Sequence, residues 1–287
     1  MEKLKIISLG LGVQSTALLY MSSFGYMDRA DYAIFADTGA EKQATMDYYN
    51  RLWDDKNNRT KFHNLIPIIK VSERNIYKDY LNKIDKRVAS IPAFTSNGGK
   101  LMRQCTAEYK ISQVDSAIRN LYGMKKGERY PETEIWYGIS QDEMQRMSIP
   151  QQKWKINVYP FIGYKIFSNG TTLPFNCIHS DYGPFMRHSD LIEFYKKMNK
   201  WGACWPIPIK SSCVFCPFTS NKNWALLKNI ATDDFSRAVE IDQIIRHRLK
   251  IDNTAYIHRS LKPLKDIDFD DLQEDLFDDE CSGNCMI

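Results

Sequence analysis

Apolar residues fall in short runs along the first half of the chain. The runs alternate with stretches whose apolar positions recur every three to four residues. Leu4–Leu9 (LKIISL), Tyr32–Gly39 (YAIFADTG), Asn64–Val71 (NLIPIIKV) and Glu134–Ser140 (EIWYGIS) each read as a strand with both faces buried. Helical patterns lie between them, at Ser15–Phe24, Lys42–Asp54 and Ile111–Leu121. Pro67 cannot donate to a ladder, so the third strand is expected at a sheet edge or a bend. Such alternation predicts an α/β fold with a mostly parallel sheet covered on both faces.

The pattern changes after about residue 164. Residues 164–188 are rich in Gly, Pro, Asn and His and read as a flap, and a helix resumes at Ser189–Trp201. Cys204–Phe218 (CWPIPIKSSCVFCPF) is a Pro-rich knuckle, followed by helical patterns at Asn221–Asn229 and Asp233–Lys250. We therefore expect an α/β domain over 1–203 and a cysteine-bearing helical lobe over 204–287. Ligands of parallel sheets collect at the carboxyl ends of the strands. Gly10–Ser15, Asp37–Glu41 and Ser140–Arg146 occupy those ends.

At 287 residues, 43% hydrophobic, the chain can bury a sizeable core. It has no apolar run long enough to cross a bilayer. Met1–Lys5 leads into the first strand without a signal-peptide pattern, so a cytoplasmic protein without membrane contact is expected. The net charge of +4 permits an anionic partner without demanding one. Seven clustered cysteines in a reducing compartment point to metal or catalysis rather than a disulfide framework.

Ser8-Leu9-Gly10-Leu11-Gly12-Val13-Gln14-Ser15 stands where the first strand becomes a helix. Glycines there let backbone N–H groups approach a ligand, and a helix N-terminus favours negative charge. Ser8 and Ser15 add hydroxyls, and Ser15 or Thr16 is a candidate cap. A plain strand–helix loop explains the local pattern equally well. The run lacks the Gly-Lys-Ser/Thr of a Walker loop and the third glycine of a dinucleotide loop.

This loop resembles the PP-loop of the adenine nucleotide alpha-hydrolase superfamily, in the branch similar to phosphoadenosine phosphosulfate (PAPS) reductases. Further motifs extend the resemblance: FADTGAE (Phe35–Glu41), RQCTAEYKI (Arg103–Ile111), GISQDEMQR (Gly138–Arg146), SSCVFCPF, HRSLKPL (His258–Leu264) and ECSGNC (Glu280–Cys285). The main departure is Gln14, where many members carry an acidic residue, which weakens the case for a metal contact from that position.

The resemblance implies a Rossmann-like sheet that binds ATP or a sulfonucleotide, with Ser8, Leu9, Gly10, Gly12, Val13, Gln14, Ser15 and Thr16 around the phosphates. Asp37 and Thr38 are then expected near the ribose or adenine, and Lys110 or Arg146 near phosphate. Mg²⁺ would bridge phosphate oxygens. In ATP-using members a substrate oxygen attacks the α-phosphate and pyrophosphate leaves, so positioning and charge stabilisation dominate. Ser15, Lys110, Arg146 and Cys281 are the candidate catalytic residues. His258 and Arg259 are candidate anion contacts.

Cys213 and Cys216 form a C-x₂-C pair that can reach one metal, and Cys281 and Cys285 form a second close pair. Spacing does not separate zinc from an iron–sulfur cluster, while the resemblance favours [4Fe–4S] over Zn²⁺. Two ligand sets stand open: Cys213, Cys216, Cys281 and Cys285, or Cys105, Cys213 and Cys216 with one iron site left open or filled from the tail. Cys204 echoes an ATP pyrophosphatase of DNA phosphorothioation systems whose fourth cysteine is missing here. Cys177 has no evident partner.

Three functions are expected in descending order. The first is an ATP pyrophosphatase-type enzyme that adenylates an acceptor, with AMP as product. That acceptor would be a nucleic acid base, a nucleotide or the DNA backbone, taking sulfur from a donor such as a cysteine desulfurase. Lys125, Lys126 and Arg129 would favour such a partner. The second is a PAPS/APS reductase that uses Cys281 and depends on thioredoxin. The third is a non-catalytic nucleotide- or nucleic-acid-binding module with structural zinc, in which Trp154 between Lys153 and Lys155 would stack on bases.

Overall fold

A computed structural model describes residues 2–57, 64–82, 88, 90–125, 127–179, 182–202, 205–248 and 254–269. In chain order the elements are β1 (Lys5–Ser8), α1 (Val13–Ser23), β2 (Tyr32–Ala36), α2 (Gln43–Asn57), β3 (Ile68–Val71), α3 (Ile76–Asn82) and β4 (Phe94–Thr95). A π-helical turn (Ala107–Ile111) runs into α4 (Ser112–Leu121), and β5 (Thr133–Tyr137) leads to a 3₁₀ turn (Gln141–Arg146). Then follow β6 (Lys155–Tyr159), β7 (Tyr164–Phe167), β8 (Thr172–Pro174), α5 (His188–Lys200), α6 (Asn221–Asn229), α7 (Thr232–Arg248) and β9 (Ala255–Tyr256).

The fold is α/β around a seven-stranded sheet in the order β3-β2-β1-β5-β6-β7-β8. The first five strands in that order pair in parallel, and β7 and β8 add an antiparallel hairpin. β3 is at the sheet edge, one of the two placements expected from Pro67, which immediately precedes it. Alternation along the strands divides the core. Ile7, Phe35, Trp136 and Val158 face a cluster containing α1 and α5 residues, whereas Ile6, Ile34, Ile135 and Tyr159 face one containing Ala117 and Ile118 of α4. α1 lies within the first cluster and buries nearly every side chain it has.

A third cluster joins Ala40, Ile76, Tyr80, Ile91 and Tyr109 to Val214, Phe215, Trp224, Leu227 and Ile241. Segments before and after the expected boundary thus share one core, while residues 203 and 204 lie outside the described residues. The flap pattern corrects in part: its first half is the β7–β8 hairpin. Its later part is pinned where the Asp28 N–H donates to the Cys177 carbonyl at 2.8 Å and the His179 N–H to that of Tyr26 at 2.9 Å. Among the described residues no helix is long and apolar enough to cross a membrane.

Candidate functional site

The loop between β1 and α1 is closed from within. The Gly10 N–H donates to Ser15 Oγ at 3.2 Å, and Ser15 is fully buried. The left-handed residue of the turn is Leu11 (φ 58°) rather than either glycine. Gly12 caps α1 in an extended conformation, and its need is for space: a Cβ there would meet Ser211 Oγ at 3.1 Å. The strand of chain before the C-x₂-C knuckle therefore roofs the loop. Trp205 stacks on Tyr20 at 4.5 Å, and Tyr48 donates to the Pro206 carbonyl at 2.9 Å.

The expected convergence of strand ends is present. The Gln14 amide donates to Ser140 Oγ (3.2 Å) and to Glu143 Oε2 (2.8 Å). Arg146 is buried and its Nη1 donates to the same Glu143 oxygen at 2.5 Å, while its Nε is buried without a partner. A carboxylate thus reaches the loop from residue 143, although position 14 carries none. Thr16, also fully buried, leaves Oγ1 without a partner.

The second strand end is held from the far end of the chain. Arg237 of α7 donates to the Gly39 carbonyl (2.8 Å) and to that of Glu41 (3.3 Å), and Asp234 accepts the Gln43 N–H at 2.9 Å. Asp37 accepts the Gly39 N–H at 2.8 Å and pairs with Lys70 at 3.4 Å, so it shapes the turn and does not cap α2. Gly39 has φ +74°, a conformation that favours glycine.

A cleft of about 590 Å³, part of it open to solvent, lies between the sheet and α4. Ser8, Leu9 and Gly10 line it beside Ile34–Ala36, Tyr137, Glu41 and Lys110. A second cavity of about 550 Å³, likewise partly open to solvent, brings together Cys105, Cys213, Cys216, Thr38 and Arg103, with Thr106 and Lys110 shared between the two. Thr38 therefore belongs to the thiol cavity, where its Oγ1 donates to Glu41 at 3.0 Å and lies 3.6 Å from Cys213 Sγ. Gly12, Val13, Gln14, Ser15, Thr16, Asp37 and Arg146 are not among the residues lining either cavity.

Backbone pairing fixes the knuckle beside the second strand end: Cys213 bridges Glu41, and the Val214 N–H donates to the Ala40 carbonyl at 2.8 Å. Enclosure, followed by the charge of Glu41, pushes the Cys213 thiol up to about 12. Lys110 Nζ is 4.0 Å from Glu41. Among the described residues no group of three or more His, Cys, Asp or Glu side chains is arranged to hold a metal. Three soft donors around one cavity nevertheless match the chemistry of thiolate ligation in kind. Cys204, Cys281 and Cys285 lie outside the described residues.

Two readings of surface cations are corrected. Lys155 is buried and paired with Asp115 at 2.5 Å, and Trp154 stacks on Tyr130 at 4.3 Å, so this stretch is not a free base-stacking patch. His258 is buried, with ring nitrogens 2.9 Å from Asn221 Oδ1 and 2.8 Å from Ser260 Oγ, and it organises the C-terminal packing. Lys126 lies outside the described residues. Sequence reasoning missed Arg237, Asp234, Asp115 and Glu143; only Glu143 lay in a quoted motif.

No family model, no curated protein and no solved structure matches the chain.

Proposed function

We propose that the chain is a PP-loop ATP pyrophosphatase of the adenine nucleotide alpha-hydrolase type, which adenylates an acceptor and releases pyrophosphate. The observation that carries this reading is the shared wall. A cleft opening on Ser8–Gly10 shares Thr106 and Lys110 with a cavity lined by three thiols. Activation and a soft-nucleophile chemistry would then occur side by side.

In this reading an acceptor oxygen attacks the α-phosphorus of ATP, and the bond to the bridging oxygen breaks. Pyrophosphate leaves with its electron pair. A nitrogen or sulfur nucleophile then displaces AMP from the activated carbon. The N-terminus of α1 favours the phosphate charge, and Lys110 offsets charge developing at the α-phosphate. Arg146, held by Glu143, has an N–H left to turn toward phosphate. Mg²⁺ would neutralise phosphate oxygens, and Glu143, whose Oε2 accepts the Gln14 amide, would supply the carboxylate that position 14 lacks. A [4Fe–4S] cluster or zinc would be held by Cys105, Cys213 and Cys216, and a cluster would supply an iron site for carrying sulfur.

The test is product analysis after anaerobic purification. ATP, Mg²⁺, a pool of tRNA, DNA fragments or nucleotides, and sulfide or ammonium as the displacing nucleophile should give AMP and pyrophosphate in equal amounts. ADP with phosphate, or no turnover, contradicts the reading. Sulfite from a sulfonucleotide would establish the reductase alternative instead.

A further inference from the structure

The rim of the thiol cavity carries aromatic rings and cations that the reaction above does not use. Phe94 of β4 and Tyr256 of β9 stand directly opposite each other in an antiparallel pair. Both are half-buried while their neighbours Thr95 and Ala255 are buried, so alternation turns the two rings to the outer face of this ribbon. Lys100 bridges back to Phe94 and places its ammonium 5.2 Å from that ring and 5.5 Å from the ring of Phe218. Arg103 lies 5.8 Å from the same Phe218 ring, and Arg103 and Phe218 both line the cavity. Met102, next to Arg103 in the chain, is 74% exposed. The charge here is unbalanced. Among the described residues neither Lys100 nor Arg103 pairs with a carboxylate, and Arg103 gives only its Nε, to Thr106 Oγ1 at 3.1 Å. No Asp or Glu lines the cavity that they rim. Two cations drawn to one ring repel each other, and an anion shared between them relieves that repulsion.

We propose that this face binds single-stranded nucleic acid. Lys100 and Arg103 would swing from the ring faces to phosphate oxygens, and unpaired bases would stack on Phe94, Tyr256 and Phe218 in their place. Base faces are open only in an unpaired strand, so the rings favour single strands over duplex. An acidic peptide would satisfy the two cations and leave the three rings unused. A bound strand would pass the mouth of the thiol cavity. The inference stands on this surface alone and goes beyond the nucleotide reading.

The experiment is fluorescence anisotropy of the full chain, without ATP, with labelled mixed-sequence strands of about 20 nucleotides, as RNA and as DNA. At least one strand should bind at least about tenfold more tightly than its own duplex, with an affinity that falls as salt rises. Lys100→Gln changes an exposed side chain. It should weaken binding and flatten the slope of log affinity against log salt by about 0.7, the share of one phosphate contact. Phe218→Ala should lose about tenfold in affinity with the slope unchanged. Should that variant fail to fold, the strand-to-duplex ratio and the Lys100→Gln slope decide. Equal affinity for strand and duplex overturns the proposal, as does a Lys100→Gln slope identical to the wild type. Polyglutamate that competes as well as unlabelled strand, or no binding of either strand, overturns it too.

Discussion

Gly138 lies directly beneath Ser15: a Cβ built on Gly138 would stand 2.7 Å from both the backbone nitrogen and the Cα of Ser15. The neighbour is backbone, which cannot rotate aside, so the end of β5 and the first turn of α1 meet only because residue 138 lacks a side chain. This contact sets the height of the loop over the sheet. Gly138→Ala should cost about 1–3 kcal/mol by overpacking and should weaken nucleotide binding by about tenfold or more. Denaturant unfolding and ATP titration check the two effects. An alanine variant with wild-type affinity would show that the loop tolerates displacement.

Arg237 ties the second strand end to α7 through the carbonyls of Gly39 and Glu41. Arg237→Ala removes charge-assisted hydrogen bonds from a half-buried site and should destabilise the fold by about 1–3 kcal/mol. Arg237→Lys, which lacks the planar fork, should recover only part of that. Full recovery with lysine would mean that charge alone, not the two-carbonyl geometry, matters there.

Cys177 supplies the pH dependence. Its side chain is buried, and burial first, then Asp28, lifts the thiol from 9.0 to about 12. Between those values the unfolded chain gives up this proton and the folded chain keeps it. Stability therefore falls as pH rises through that window. Cys177→Ala should lose a small constant amount from the vacated space, yet fall less steeply above pH 9. Urea unfolding of both proteins at pH 8, 9 and 10 tests the sign, and parallel curves would contradict it.

The thiol cavity predicts a pattern of metal loss. After anaerobic iron and sulfide reconstitution, serine at Cys105, Cys213 or Cys216 should lower bound iron to less than half, while Cys177→Ala should leave it unchanged. Zinc in place of iron would favour a structural site. Iron independent of all three cysteines would remove the cavity from the account.

Much of the fold was legible because parallel strands buried on both faces are written as apolar runs: β1, β2 and β3 fall within the expected segments, and β5 overlaps its own, starting one residue earlier. β6 was missed because Lys155 and Asn157 interrupt its apolar pattern. Each is buried only by virtue of a partner distant in sequence or across a turn, Asp115 for the lysine and the Ser148 carbonyl for the asparagine. α3 is too short to declare a period, and the β7–β8 hairpin hides among turn-forming residues. At the candidate site, the glycine motif marked a tight strand-to-helix loop, but its glycines serve a different purpose from the one expected. Leu11 takes the left-handed conformation, while Gly12 and Gly138 make room for Ser211 and Ser15. The reach of Arg237 to Gly39 depends on tertiary packing, which a local pattern does not encode.

The most direct measurement is a crystal structure of the full chain grown with Mg²⁺ and the non-hydrolysable analogue α,β-methylene-ATP. The account predicts phosphates against the amides of Gly10–Thr16, the base in the cleft between Ile34 and Tyr137, and Lys110 turned toward the α-phosphate. An analogue bound elsewhere, or a loop still sealed beneath Ser211 with no phosphate against it at saturating concentration, would contradict it.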